Sequence, residues 1–163
     1  NTKEGCTAYN NQCVNPDCLF KGNRIHGSKM ENGTHTSKKD TPIYCEKCGK
    51  LLPRPTVIDK KTGIRRLIKG YDTAYRRMEW DKPAPTLTQN FLFEASDKKV
   101  HPSQTRVLSI YEALVLQTIA EYDFRMMIDG KYISKNLCAE VIGESVPPRL
   151  IEIICKQIKK ISI

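Results

Sequence analysis

Polar and apolar positions in the last third of the chain have the spacing of helices. Ser109 and Glu112 form a capping box, in which each side chain accepts from the other residue's backbone N–H, and this box predicts a helix to about Ala120. Ser134 is a suitable N-cap for a shorter helix through Ile142. The pattern therefore predicts two helices before the final segment of the chain.

The final helix is predicted to be amphipathic. Gly143 would end the preceding helix in the left-handed conformation, and Pro147-Pro148 would set the first turn of the next one. Leu150, Ile154 and Ile158 then fall on one face. We therefore expect a third helix with a single apolar strip.

Shorter apolar runs upstream predict strands. Residues 56–58 and 64–68 flank the turn 59–63 and predict a β-hairpin with a basic face, and residues 86–93 predict a further strand. Residues 1–56 are rich in loop-forming residues and show no sustained period. The predicted fold is α+β, with an antiparallel sheet followed by a cluster of about three helices.

Cysteines organise the loop-rich N-terminal part, which holds few large apolar side chains. Cys13-x4-Cys18 and Cys45-x2-Cys48 are two short-spaced pairs, and Gly49 follows the second. Thiolates at such spacings bind Zn²⁺ tetrahedrally, and a metal can stabilise a segment that lacks a core. We predict a zinc-ribbon-like module with a structural Zn²⁺ on these four cysteines. One ligand of the first pair could instead be His26, His35 or Cys6.

The net charge of +9 is concentrated in the first part of the chain. Residues 1–70 hold 14 Lys and Arg against 6 Asp and Glu, whereas residues 71–163 hold 13 against 12. This asymmetry favours a polyanionic partner, nucleic acid before membrane, although a lysine-rich solvated surface has the same composition. No membrane-spanning run or signal core is present, and the seven cysteines favour no disulfide framework.

Residues 65–90 combine basic residues, two tyrosines, the only tryptophan, Pro83-Ala84-Pro85 and a Thr-Leu-Thr run. Arginine and lysine neutralise phosphates, aromatic rings stack on bases, and hydroxyls donate to phosphate oxygens. The composition predicts a nucleic-acid contact, although a basic loop crossing the edge of a sheet would have the same composition.

Three motifs follow one another from residue 80 to residue 148. They are WDKPAPTLT at residues 80–88, the segment from His101-Pro102 to Gln117, and IGESVPP at residues 142–148. This order resembles the C-terminal half of DNA cytosine-5 methyltransferases over roughly residues 65–158. The resemblance implies a Cys-rich zinc-binding part at residues 1–56, a β-rich DNA-recognition part at 57–100 and a helical part at 101–163 that packs on a catalytic domain.

The family's catalytic motifs are missing from this sequence. It has no glycine-rich strand-to-helix turn, no Glu-Asn-Val segment and no cysteine that follows a proline. The chain alone is therefore predicted to be inactive. It would be an excised part, as a start at Asn1 favours, or a split subunit, and it would position duplex DNA while a catalytic partner methylates a flipped cytosine at C5 from S-adenosylmethionine.

The resemblance also implies roles for individual residues. The 143–145 segment lines the S-adenosylmethionine pocket in the family, so Gly143, Glu144 and Ser145 are predicted to contact the cofactor, although Glu144 stands where asparagine is usual. The loop before Thr86 would enter the major groove, and Thr86 would hold the phosphate beside the flipped nucleotide. The predicted DNA-binding residues are Lys69, Tyr71, Thr73, Tyr75, Arg76, Arg77, Thr86 and Thr88, with the two arginines reading guanine.

The predicted partners are double-stranded DNA and a catalytic domain or subunit, in the bacterial cytoplasm at the nucleoid, with no membrane contact. Such an enzyme can belong to a restriction-modification pair. In isolation the apolar strip on the last helix would favour dimerisation. The alternative is a stand-alone zinc-ribbon DNA-binding module without an enzymatic partner, which has no use for the 142–148 segment.

Overall fold

The chain divides into two compact units. The first contains Asn1–Pro83 and Glu94–Arg106, and the second contains Ala84–Phe93 and Val107–Ile163. The computed structural model describes residues 2–25, 41–68, 70, 73–96 and 98–161, together with the backbone of 29–31 and 34–36.

The strands of the first unit form two antiparallel hairpins. Strand β1, Lys29–Glu31, pairs with β2, Thr34–Thr36, and strand β3, Thr56–Ile58, pairs with β4, Arg65–Leu67. The β3–β4 hairpin confirms the strand–turn–strand prediction for residues 56–68. A short 3-10 turn at Ala8–Asn10 precedes them.

The N-terminal segment packs against a stretch about 70 residues further along the chain. The Ala8 N–H donates to the Tyr75 carbonyl at 3.1 Å, and the Arg77 N–H donates to the Cys6 carbonyl at 3.1 Å. Residues 94–106 return to the same unit, since the Met78 N–H donates to the Val100 carbonyl at 2.9 Å. The compact units therefore follow boundaries that differ from the predicted segments 1–56, 57–100 and 101–163.

The second unit holds the helices. Helix α1 spans Ile110–Leu116, α2 spans Lys135–Glu144 and α3 spans Pro148–Ile161, and a third hairpin joins β5, Met127–Ile128, to β6, Lys131–Tyr132. Strands with three C-terminal helices confirm the mixed character of the predicted fold. The buried side chains of this unit include Leu87, Phe91, Leu108, Ala113, Leu114, Cys138, Ala139 and Ile142.

The helix N-termini follow their sequence signals, whereas two C-termini differ from the prediction. The Ser109–Glu112 capping box is formed and Ser134 caps α2. Helix α1 ends earlier than predicted, since Thr118 takes a left-handed backbone conformation with φ of 56°. Gly143 does not end α2 as predicted but lies inside it, one residue before its last residue.

The strand predicted at residues 86–93 is wrong. This segment is a series of turns, in which the Phe91 N–H donates to the Thr88 carbonyl and the Phe93 N–H to the Asn90 carbonyl, both at 3.0 Å. A strand would place Leu87, Gln89 and Phe91 on one face, but Gln89 is exposed while Leu87 and Phe91 are buried.

Helix α3 has the predicted apolar strip. Leu150, Ile151, Ile154 and Ile158 are all exposed, and no residue of this helix is buried. Within the part of the chain that the structure describes, none of the helices has the length and apolar character needed to cross a bilayer.

Candidate functional site

The four cysteines predicted as metal ligands come together in the first unit. Their sulfur atoms all lie within 4.8 Å of one another. The Sγ atoms of Cys13 and Cys48 are 3.7 Å apart, and those of Cys18 and Cys45 are 3.9 Å apart. Tetrahedral Zn²⁺ with Zn–S bonds of about 2.3 Å places its sulfurs about 3.8 Å apart. Two of the sulfur pairs therefore have the spacing of a tetrahedral Zn²⁺ site, and the cluster could hold a metal ion.

Two backbone turns aim these sulfurs at one point. After Cys48, Gly49 takes a φ of 69° and its N–H donates to the Cys45 carbonyl at 2.9 Å. After Cys18, Leu19 takes a φ of 45° and its N–H donates to the Asn15 carbonyl at 2.9 Å. The residue after the second cysteine is therefore left-handed in both pairs, although in the more widely spaced first pair it is a leucine and not a glycine.

The strained turn at Leu19 gives a prediction about stability. Leu19→Gly should raise the free energy of unfolding by about 1 kcal/mol. The left-handed conformation costs an L-residue about 1–2 kcal/mol, and the greater flexibility of glycine in the unfolded chain offsets part of the gain. Urea unfolding measures the change. The control is Leu19→Ala, which keeps the Cβ atom and the strain. Equal effects of the two substitutions would contradict the explanation.

A residue that the sequence did not single out supports the cluster. The Asn23 side chain is buried, and its amide donates to the Cys45 sulfur at 3.6 Å while its carbonyl oxygen accepts from the Glu46 N–H at 2.8 Å. Outer hydrogen bonds of this kind orient metal ligands. No spacing rule identifies Asn23, since its role depends on the fold of the loop between the two cysteine pairs.

The thiols of the cluster differ in acidity. Burial alone would raise the pKa of Cys45, but the backbone N–H groups of Cys48 and Lys47 and the Asn23 amide outweigh it and bring the pKa to about 6. Burial raises the pKa of Cys18 to about 11. A thiolate at Cys45 is the natural first ligand of a cation, which then favours deprotonation of the others.

The alternative ligands are not part of the described cluster. Cys6 lies outside it, and its backbone pairs with Arg77. His26 and the side chain of His35 lie outside the described residues.

The predicted DNA-binding stretch is partly buried. Arg77 is only 5% exposed, and its guanidinium donates to the carbonyls of Thr2 and His101, both at 2.7 Å, and of Gln104. These bonds connect the N-terminal segment to the 101–105 loop. The guanine contact predicted for Arg77 would require the guanidinium to leave these carbonyls.

The neighbouring predicted residues are more accessible. Thr73 is exposed, and Arg76 is half-buried and donates to the Gly5 carbonyl at 3.1 Å. Tyr75 is half-buried with a φ of 52°, and its ring meets the ring of Tyr9 edge-on at 5.9 Å. Lys69 and Tyr71 lie outside the described residues.

Trp80 and His101, from two different motifs, meet in the first unit. Their rings pack edge to face with centroids 5.5 Å apart, although Trp80 is 64% exposed. Next to Trp80, hydrogen bonds from Lys82 and Lys98 lower the pKa of Glu79 to about 2. The Trp80 segment is therefore held in place by a ring contact and by a doubly paired carboxylate.

The second unit brings the Thr86–Thr88 motif against the 142–148 motif. A Cβ atom at Gly143 would lie 2.3 Å from the Gln89 backbone nitrogen and 2.4 Å from the Thr88 carbonyl carbon. The Gln89 amide donates to the Glu144 carboxylate at 2.5 Å, and the Ser145 hydroxyl donates to the Ile142 carbonyl at 2.6 Å. The predicted phosphate-binding and cofactor-binding residues of this unit are therefore neighbours, with Thr86 and Thr88 both exposed.

Comparison with protein families gives one match that covers most of the chain. The model described as C-5 cytosine-specific DNA methylase matches residues 10–160. No solved structure matches the chain.

Curated relatives are also methyltransferases. The Type II methyltransferase M1.HgaI of Avibacterium volantium is 37% identical over 100 residues, which are 56% of this chain and 27% of the relative. The Type II methylase M.HgiDII of Herpetosiphon aurantiacus is 36% identical over 92 residues, 56% of this chain and 25% of the relative. The matched part of the chain thus spans about a quarter of these two relatives.

A third relative is shorter. The Type II methyltransferase M.AquIB of Picosynechococcus sp. is 28% identical over 97 residues, which are 56% of this chain but 67% of the relative. Its own chain is therefore close to this one in length.

Proposed function

Since this chain belongs to the C-5 cytosine-specific DNA methylase family, we propose that it is the DNA-recognition part of a DNA (cytosine-5-)-methyltransferase. It would hold duplex DNA so that a flipped cytosine is methylated at C5. The observation that carries this proposal is the family match over residues 10–160, which includes the cysteine cluster, the recognition stretch and the helices. We also propose that this part lies in the C-terminal half of the enzyme.

DNA contact is proposed for exposed or half-buried residues of both units. Thr86 and Thr88 offer hydroxyls to phosphates, since they are exposed on a turn that is anchored by buried Leu87. Of the two arginines at residues 76–77, Arg76 is the proposed base contact, because the buried Arg77 guanidinium donates to three backbone carbonyls. The other predicted contacts remain proposals, namely Lys69, Tyr71, Thr73 and Tyr75.

The 143–145 segment fits an edge of an S-adenosylmethionine site. Glu144 is exposed, and its carboxylate, which accepts from the Gln89 amide, has further lone pairs for hydroxyl or ammonium groups of the cofactor. S-adenosylmethionine supplies the methyl group when bound. In this proposal the residues of the chain only hold and orient the cofactor, because no cysteine of the sequence follows a proline as the family's nucleophile does.

The catalytic part would be supplied by other residues of the same protein or by a second subunit. The similar length of M.AquIB supports the second possibility, in which a short chain is a separate subunit. The exposed strip on α3 is a surface on which such a partner, or a second copy of the isolated chain, can pack. The names of the relatives support membership of a Type II restriction-modification system, and hence the bacterial cytoplasm.

A structural Zn²⁺ in the Cys13–Cys18–Cys45–Cys48 cluster is part of this proposal. The four sulfurs have the spacing of a tetrahedral site, and few large apolar side chains surround them. A stand-alone zinc-ribbon module is not favoured, because the family match continues through the helices to residue 160.

DNA binding and methyl transfer test the proposed function separately. We expect the 163-residue chain to bind labelled duplex DNA in a fluorescence anisotropy titration. Labelled methyl groups should be transferred from radiolabelled S-adenosylmethionine to that duplex only when the catalytic part of the enzyme is added. The control is a duplex with 5-methylcytosine in place of cytosine, which has no position left to methylate. Failure to bind duplex DNA, or methylation by the chain alone, would overturn the proposal.

A further inference from the structure

The β3–β4 hairpin of the first unit presents side chains to solvent on both of its faces. Val57 pairs with Arg66 on one face, and Ile58 pairs with Arg65 on the other. Val57, Ile58 and Arg66 are exposed, and Arg65 is half-buried. Each face therefore carries one arginine beside one β-branched apolar side chain.

The tip of this hairpin has a defined conformation. The Asp59 carboxylate accepts from the backbone N–H groups of Lys61 at 2.9 Å and Thr62 at 3.2 Å. The Asp59 N–H donates to the Ile64 carbonyl at 2.9 Å, and Gly63 completes the turn with a φ of 69°. A Cβ atom at Gly63 would meet nothing within 4 Å, so the glycine serves the backbone conformation and not packing.

The charge of the hairpin is strongly positive. Lys60 and Lys61 lie exposed at the tip, Arg65 and Arg66 lie on the second strand, and Asp59 is the only acid between residues 56 and 67. Arg65 donates to the Thr56 hydroxyl at 3.0 Å, and the Arg66 Nε lies 3.5 Å from the Asp59 carboxylate. A guanidinium has five N–H donors, so each arginine keeps donors for a partner.

We propose that the β3–β4 hairpin is a recognition ribbon that enters the major groove of duplex DNA, with the exposed Arg66 reading base edges and Lys60 and Lys61 contacting phosphates. The major groove is about 12 Å wide and about 8.5 Å deep and admits a two-stranded ribbon. A ribbon that lies along the groove turns one face to the base edges, and its tip then lies near the phosphates at the groove's edge. This inference rests on the proposed function.

The β5–β6 hairpin of the second unit supports the choice of partner by contrast. It also exposes large side chains, including Met127, Ile128 and Tyr132, but Lys131 is balanced by Asp129 in its turn. Exposed apolar residues alone would suit a protein partner. Four cations around the apolar residues of β3–β4 instead complement a polyanion.

The first arm of the test uses the 163-residue chain and the salt dependence of DNA binding. Lys60→Gln with Lys61→Gln should lower the slope of log affinity against log salt by about 1.8, because each phosphate contact contributes about 0.9. The control pair, Lys131→Gln with Lys135→Gln, removes the same charge from exposed positions of the second unit and should leave the slope unchanged. Equal slopes in the two pairs would overturn the proposal.

The second arm tests base reading by selection from a random-sequence duplex pool. Wild type should select a preferred sequence, and Arg66→Ala should lose about tenfold discrimination at one position or more. An unchanged sequence preference with weaker binding would make the hairpin a phosphate contact and overturn the inference. Unchanged affinity and preference would assign it to a protein partner instead. If wild type binds no duplex DNA, the proposed function itself fails.

Discussion

Cys45→Ser is expected to abolish binding of the proposed Zn²⁺ to the first unit and to unfold the residues around the cluster. Elemental analysis should give one zinc per chain for the wild type and almost none for the variant. The hydrogen exchange of the Gly49 amide, which donates to the Cys45 carbonyl at 2.9 Å, should become as fast as in an unfolded chain. Chelation of zinc from the wild type should have the same effect.

The size of this effect follows from how little else holds the cluster together. Its buried apolar contribution is Leu52 with the cysteines themselves, and Phe20 packs against it only partly buried. Structural zinc contributes about 10–16 kcal/mol of binding free energy in small zinc-binding peptides. A serine hydroxyl is a much weaker ligand than a thiolate, so most of that contribution should be lost with one substitution.

Two cysteines outside the cluster provide matched controls. Cys155 is exposed on α3 and Cys6 is half-buried beside Arg77. Neither Cys155→Ser nor Cys6→Ser should change the zinc content. Zinc loss in Cys6→Ser would make that residue a ligand, and zinc retention in Cys18→Ser would point to His26 or His35. A wild-type chain that contains no metal and still protects the Gly49 amide would contradict the prediction outright.

Structural features that depend on only a few neighbouring residues could be predicted from the sequence. The Ser109–Glu112 capping box, the Ser134 cap and the Pro147-Pro148 start all depend on neighbouring residues, and the structure confirms each of them. The Asp129-Gly130 turn of β5–β6 carries a signal of the same local kind, since both residues take positive φ in a two-residue hairpin loop, but this hairpin was not among the predicted elements.

Burial of polar residues by distant segments could not be read in this way. Arg77 belongs to a stretch whose composition predicts DNA contact, yet its partners are the carbonyls of Thr2, His101 and Gln104, which are at least 24 residues away. Asn23 likewise gains its role only when the loop folds over Cys45. No local pattern separates such arginines and asparagines from exposed ones.

The segment at residues 86–93 shows how composition can mislead. Its β-forming residues predict a strand, but Leu87 and Phe91 are buried together on a turn, since helix α2 packs against the backbone between them. Tertiary packing overrides strand propensity here, because propensity measures mainly how well a side chain fits a half-buried sheet. The same packing explains Gly143, for which the sequence suggested a helix stop.

Gly143→Ala is expected to destabilise the second unit by about 2 kcal/mol. The new Cβ atom would lie 2.3 Å from the Gln89 nitrogen, 2.4 Å from the Thr88 carbonyl carbon and 2.7 Å from the Gln89 Cα. Ordinary contacts between carbon atoms are about 3.5–4.0 Å, so α2 or the 88–89 backbone must move by about 1 Å. Overpacking of this kind costs about 1–3 kcal/mol.

The sign of this effect is what makes it informative. At an unhindered helix position, alanine is more favourable than glycine by about 1 kcal/mol, so α2 alone would become more stable. Glu140→Gly, at an exposed position of α2, measures that propensity difference in the same helix. Thermal or urea unfolding of the two variants therefore separates packing from propensity. A gain in stability for Gly143→Ala would contradict the packing.

The same substitution should also weaken DNA binding without removing a charge. Displacing the 88–89 backbone moves Thr86 and Thr88, the proposed phosphate contacts, while every lysine and arginine stays in place. We expect lower affinity in the anisotropy titration with an unchanged salt slope, unlike the loss of slope expected for the lysine pair of the β3–β4 hairpin. Adding Gln89→Ala should not restore affinity, because the clashing atoms are backbone atoms. Restored affinity in that double variant would show that the Gln89–Glu144 side-chain contact matters instead.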